Sequence, residues 1–175
     1  MKKTLKHLVI SVICLATAII LPFWTGQVPE IGSMMCPMHI PILLCGYFCG
    51  GIWGLGTGAV AALLCSFMFG MPELYPQAIC MAFELAAYGC TMGILKSKFQ
   101  NVKLGIFANL ACAMIIGRIV WGIAMFACMG FKPAKFGLGD FFAGAVTNAI
   151  PGIVVQFALI PVFIQVVSNM KKEKE

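Results

Sequence analysis

Two ionisable side chains, Glu84 and Arg118, lie inside long apolar stretches of this sequence. A charge in such a stretch is costly unless it faces a cavity or a partner, so both residues are candidates for a binding site. Their opposite charges also predict an ion pair between two helices, which by itself would only hold those helices together. Both interpretations can hold at once, because a guanidinium contacted by one carboxylate still has donors for a ligand.

Five further side chains complete the candidate solute site. Tyr88 follows Glu84 by one helical turn, so the two share a helix face. Trp121 follows Arg118 by three residues and could stack on a flat ring. For each aromatic residue, packing in the core or against lipid is the alternative. The remaining members are His39, Gln77 and Asn148.

His39 belongs to the stretch SMMCPMHIPILLCG, residues 33–46, which is rich in sulfur and proline. Pro37 and Pro41 fix their own φ and restrict the residue before each, so the loop should enter the next helix in a held shape. A stiff loop that presents one imidazole above a membrane span is typical of a binding site. The alternative is that His39 lies at the level of the lipid headgroups.

The composition is that of an integral membrane protein, since 61% of the 175 residues are hydrophobic and 10% are charged. The net charge of +6 does not indicate a nucleic-acid partner, because the lysines cluster at the ends of apolar spans. The nine cysteines form neither a disulfide framework nor a CxxC motif and are interpreted as packing residues. We reject a cleaved signal peptide, because the apolar run continues through Ile19 to Trp24.

We therefore predict an all-α membrane protein with six transmembrane helices, forming a single transmembrane domain over residues 1–175. The helices are expected at about residues 5–23, 38–53, 55–71, 78–95, 104–129 and 139–167. The second and third form one uncharged stretch that is too long for an ordinary span. We expect a helical hairpin there that turns near Gly51 to Gly54.

Six spans put both termini on the same side of the membrane. The N-terminal lysines, the lysines of the connector Lys96 to Lys103 and those of the C-terminal tail all fall on that side, which the positive-inside rule makes cytoplasmic. Counted along the helix axis, Glu84, Arg118 and Asn148 then lie roughly 9, 16 and 13 Å below the outer ends of their helices. The site is therefore expected in the outer half of the membrane, beneath outward-facing loops.

The order of these segments and four short motifs resemble the substrate-binding S components of energy-coupling factor (ECF) vitamin transporters. The motifs are PMHIPILLCGYFCG, MAFELAAYG, GRIVWG and NAIPGIVVQ, and the likeness covers nearly the whole chain. The resemblance implies high-affinity capture of a water-soluble vitamin or a similar micronutrient, in a site under the first outer loop and among helices four to six. It also implies association with a transmembrane T component and two cytoplasmic ATPases, and toppling in the membrane to release the solute.

Two partner expectations accompany the resemblance. The family carries an alanine-spaced face on helix one that docks on the T component, and the matching residues here are Cys14, Ala16 and Ala18. The chain has no GxxxxGK[ST] phosphate loop, so we expect ATP to be bound by the partner subunits and this chain to hold no cofactor.

Two other functions are kept as alternatives. The stretch from Met38 to Pro41 is similar to the metal-binding start of the nickel and cobalt members, in which that motif opens the mature chain. Here thirty-seven residues precede it, although Met34, Met35 and Cys36 would supply soft ligands for copper or nickel. The second alternative is a membrane-embedded enzyme with His39 and Glu84 as acid and base, which no nucleophile motif or metal-ligand set supports.

Overall fold

The computed structural model describes residues 2–24, 37–99, 104–129 and 150–172. Within these ranges the regular structure is helical, as predicted, and one turn of π-helix, Leu74–Ala78, directly precedes the fourth helix. The α-helices are α1 (Lys2–Trp24), α2 (His39–Cys49), α3 (Gly51–Phe69), α4 (Ile79–Phe99), α5 (Gly105–Met129) and α6 (Ile150–Lys172).

Five of the described helices are long and apolar enough to cross a membrane, and α2 is the shorter one. Its 11 residues make a helix about 16 Å long, roughly half the thickness of the hydrocarbon core. The expected second segment, residues 38–53, was thus too long at its C-terminal end. The count of six crossings and the side of the termini stay predictions.

The helices α2 and α3 form the expected hairpin, but its turn is at Gly50 rather than near Gly51 to Gly54. Gly50 has φ 98°, a conformation that glycine adopts without strain, and its N–H donates to the Gly46 carbonyl at 3.0 Å. The Cys45 Sγ and Thr57 Oγ1 atoms lie 3.4 Å apart across the hairpin. In one continuous helix these two residues would be about 18 Å apart along the axis.

Two of the glycines that follow the turn, Gly54 and Gly58, serve helix packing. A Cβ atom at Gly54 would lie 2.6 Å from the Gly89 carbonyl oxygen, and one at Gly58 would lie 2.4 Å from the Leu85 carbonyl oxygen. Both distances are shorter than real Cβ contacts, so the backbones of α3 and α4 touch where side chains would otherwise stand.

Lysines cluster at one end of the bundle, which we call the basic end. The Cys49 thiol donates to the His7 carbonyl at 3.7 Å, which places the start of α1 beside the hairpin turn. Lys96 Nζ donates to the Tyr47 carbonyl at 2.8 Å and lies 4.3 Å from the centre of the Tyr47 ring. The C-terminal part of α4 therefore lies beside the hairpin turn as well. The lysines that define the basic end are Lys3, Lys6, Lys96 and Lys98.

Helix α4 is at the centre of the described bundle, packed against α2, α3 and α5. Its apolar core contacts include the fully buried Leu85 and Met92, together with Leu43 and Leu110 from the neighbouring helices. Asn109 donates through Nδ2 to the Met92 carbonyl at 2.9 Å, so this polar residue joins α5 to α4. A charged group on the buried face of α4, such as Glu84, is therefore held among three other helices.

Candidate functional site

Glu84, Arg118 and His39 meet in the interior of the bundle. Arg118 Nη1 lies 3.0 Å from Glu84 Oε1, within charge-assisted hydrogen-bonding distance. His39 Nε2 lies 3.6 Å from the same oxygen, which is close enough for attraction but longer than a hydrogen bond. The side chains of Glu84 and His39 are each 2% exposed and that of Arg118 is 17% exposed. The predicted Glu84–Arg118 pair is confirmed, and His39 joins it.

Positions counted along the helices explain why these three residues are level with each other. Asn109 of α5 contacts Met92 of α4. Counted from that contact, Arg118 lies nine residues along α5 and Glu84 eight residues along α4, or roughly 14 and 12 Å. Since α2 rises only about 16 Å from the turn at the basic end, its first residue, His39, lies inside the bundle. His39 is therefore in the protein interior, and its level relative to the lipid headgroups stays a prediction.

Tyr88 lies on the side of the cluster that is nearer to the basic end. Its ring is 2% exposed and meets the His39 ring edge to face, with centroids 5.0 Å apart and an interplanar angle of 73°. Its hydroxyl is within hydrogen-bonding reach of the Glu84 carboxylate, one helical turn away. Tyr88 thus lies beside both His39 and Glu84, and its spacing predicted the second of these neighbours but not the first.

Gly117 makes room for this aromatic ring, a role that our sequence analysis missed. A Cβ atom at Gly117 would lie 2.9 Å from both Cε1 and Cζ of Tyr88. The available signal was the glycine directly before Arg118 in GRIVWG, which marks a close approach next to a charge.

We expect Gly117→Ala to cost about 1 to 3 kcal/mol of stability and to weaken solute binding, because the added methyl group displaces the Tyr88 ring. Thermal unfolding and solute affinity measure the two effects. Combining Gly117→Ala with Tyr88→Leu should show strong coupling between the two changes, because the smaller side chain removes the overlap. If the losses of stability in the two single variants simply add up in the double variant, the two residues do not compete for the same space.

The other predicted solute residues are placed differently. Trp121 packs with Cys80 and Met125 between α4 and α5, toward the end opposite the basic end. Gln77 is exposed on the π-helical turn, and Asn148 lies outside the described residues. The structure thus brings together His39, Glu84, Tyr88 and Arg118, places Trp121 one turn from Arg118, and does not bury Gln77 with them. Solute contact by any of the seven stays a prediction.

The three small residues of the predicted docking face on α1 differ in exposure. Ala16 is exposed and Cys14 is half-buried. Ala18 is 0% exposed and belongs to the main hydrophobic core, so the structure does not present it to a partner. A small residue packs equally well against its own bundle and against another protein, so docking through Ala18 stays a prediction.

The described part of the chain contains no group of three or more His, Cys, Asp or Glu side chains arranged for a metal ion. The eight cysteines within it are free thiols, of which Cys45 donates to the Ser11 hydroxyl at 3.4 Å. Met34, Met35 and Cys36, the soft ligands considered above, lie outside the described residues.

Five membrane-length helices around a buried cluster of acid, arginine, histidine and tyrosine define a multi-pass membrane protein with an internal polar site. Residues 6–169 match the family described as "ECF transporter, substrate-specific component", and the chain belongs to that family. No curated protein and no solved structure matches the chain. The family is one of transporter subunits rather than enzymes, and it implies a small-molecule substrate and association with T and ATPase modules.

Proposed function

We propose that this chain is the high-affinity substrate-binding subunit of an ECF-type importer for a water-soluble vitamin or a related micronutrient, working in the cell membrane. The observation that carries the proposal is the buried cluster of His39, Glu84, Tyr88 and Arg118 in a chain of this family. A few placed polar groups in apolar surroundings are what a site for a small solute requires.

The solute site opens to the outside in this proposal. The basic end is the cytoplasmic end, by the positive-inside rule. Glu84 precedes Lys96 by twelve residues, or about 18 Å along α4, but follows the opposite end of that helix by only about 8 Å. A solute from outside therefore reaches the cluster by the shorter path.

The partner subunits supply the energy for transport. A T component and two ATPases bind this chain, and the nucleotide binds to the ATPases, because the sequence contains no phosphate loop. The Glu84–Arg118 pair is close to neutral overall, so a neutral or singly anionic solute fits the site better than a metal dication.

The most informative test is mass spectrometry of small molecules retained by the purified protein. We expect one water-soluble micronutrient to be released on denaturation, and we expect the T component and ATPases to co-purify from the native membrane. Repeated preparations that retain nothing, together with no affinity for any vitamin, would contradict the proposal.

We expect Ala16→Leu to block transport and to leave solute binding to the isolated protein unchanged. Ala16 is exposed on α1, where a large side chain prevents close approach of another helix. Uptake into cells and solute affinity of the purified chain measure the two properties. The control is Ile123→Phe, which adds bulk at a 64% exposed position on α5. A parallel loss of binding and transport in Ala16→Leu would show that this position supports the solute site instead.

A further inference from the structure

We propose that the solute carries a single negative charge and that its anionic group binds at the N-terminus of α2, beside His39 and Arg118. This inference rests on the proposed function and specifies the charge of the solute. Three features of the described residues support it: the buried start of α2, the hydrogen-bonding state of His39, and the balance of charge around Glu84.

The start of α2 is buried, and among the described residues its N-cap side chain provides no cap. Pro37, Met38 and His39 are all buried, and the N-cap residue, Met38, makes no side-chain capping hydrogen bond. The first N–H groups of a helix have no partner within the helix, and its N-terminus carries roughly half a positive charge. Pro41 has no N–H, so His39 and Ile40 supply the donors of this first turn. An anion is the ligand that such a helix end favours.

His39 provides an independent indication of a ligand at the same place. Its side chain is 2% exposed, and neither ring nitrogen has a hydrogen-bond partner among the described residues. Nε2 faces Glu84, whereas Nδ1 is the ring nitrogen nearer to the α2 backbone. A buried polar group without a partner is destabilising, and an anionic oxygen that accepts a hydrogen bond from Nδ1–H would remove this penalty. With Nε2–H directed at Glu84 and Nδ1–H at the solute, the ring of His39 is an imidazolium in the complex.

The charges around the cluster favour a solute with one negative charge. Glu84 is the one carboxylate within the described helices, and its charge is balanced by Arg118. The imidazolium of His39 and the N-terminus of α2 then leave the site with an excess of positive charge. One negative charge on the solute compensates this excess, whereas a second would be buried without a partner and a cation would be repelled. A neutral solute would leave the helix end uncompensated.

The test is the net charge of the solute that the purified wild-type protein retains, measured by capillary electrophoresis at neutral pH after denaturation. A released solute with one negative charge supports the inference. A neutral, cationic or multiply anionic solute overturns it and leaves the proposed transport function standing. Retention of nothing, with no affinity for any vitamin, overturns both.

Variants of His39 test the place of binding through the amount of solute retained per mole of protein. His39→Phe keeps a flat ring beside Tyr88 and removes both nitrogens, so retention should fall about tenfold or more. His39→Gln keeps an N–H donor but not the charge, so it should retain less solute than wild type and more than His39→Phe, which also separates loss of binding from loss of folding. His7→Gln, which changes the histidine at the basic end beside Trp53, is the matched control and should retain as much as wild type. Equal retention by His39→Phe and wild type would overturn the assignment of His39.

Discussion

Arg118→Ala should weaken solute binding by about 2 to 5 kcal/mol, the range measured when one partner of a buried charge pair is truncated. The reason is twofold. The guanidinium is the permanently charged cation of the cluster, and its loss leaves the carboxylate of Glu84 buried at 2% exposure with its 3.0 Å ion-pair partner gone. Isothermal titration with the identified solute, alongside thermal unfolding without solute, measures affinity and stability separately.

Glu84→Gln is the matched control for this substitution. A neutral amide of similar shape still accepts a hydrogen bond from a guanidinium, so we expect a milder loss of affinity than in Arg118→Ala. If Arg118→Ala lowers stability while affinity stays at the wild-type value, the pair only holds α4 and α5 together and the solute site lies elsewhere. Both variants should be compared in the same detergent, because the solvent around the bundle changes the unfolded reference state.

Gly89→Ala should lower the stability of the protein by about 3 kcal/mol or more, at the upper end of the range for overpacking. A Cβ atom at this position would lie 2.4 Å from both the carbonyl carbon and the carbonyl oxygen of Gly54. Backbone atoms cannot move aside as a side chain can, so α3 and α4 would have to separate. Reversible unfolding in mixed micelles gives the free energy difference directly.

Gly56→Ala, on the same helix as Gly54, is the control for Gly89→Ala. It changes helix propensity in the same way but introduces no steric overlap. A Cβ atom at Gly56 would have no neighbour within 4 Å, so the substitution should leave stability unchanged or raise it by up to about 1 kcal/mol. Equal losses from Gly89→Ala and Gly56→Ala would refute a close backbone crossing between α3 and α4.

Hydropathy and charge predicted most of the helix framework. Segments expected at residues 78–95 and 104–129 correspond to α4 (Ile79–Phe99) and α5 (Gly105–Met129), because a long apolar run in a bilayer has to satisfy its backbone as a helix. The Glu84–Arg118 contact was also predictable, since a buried charge requires a partner and both residues were expected in the outer half of the membrane.

The position of the hairpin turn, the length of α2 and the burial of Ala18 could not be predicted, because they depend on backbone geometry that residue types do not reveal. Gly50 and Gly54 look alike in the sequence, yet one adopts φ 98° in a turn and the other allows α3 to touch α4. The length of α2, and with it the depth of His39, follows from that difference. Ala18 shows the same ambiguity, because its small side chain serves the core here although its spacing also suits an intermolecular contact.

The short helix α2 also constrains how this protein enters the membrane during synthesis. Eleven residues are too few to cross the hydrocarbon core, so α2 cannot be inserted as an independent spanning segment. It has to enter together with α3, as the shorter arm of one hairpin whose turn at Gly50 stays at the basic end. His39 therefore reaches its final depth only after Phe69, the last residue of α3, has left the ribosome, and the solute site is completed later still, when α4 and α5 pack against the hairpin.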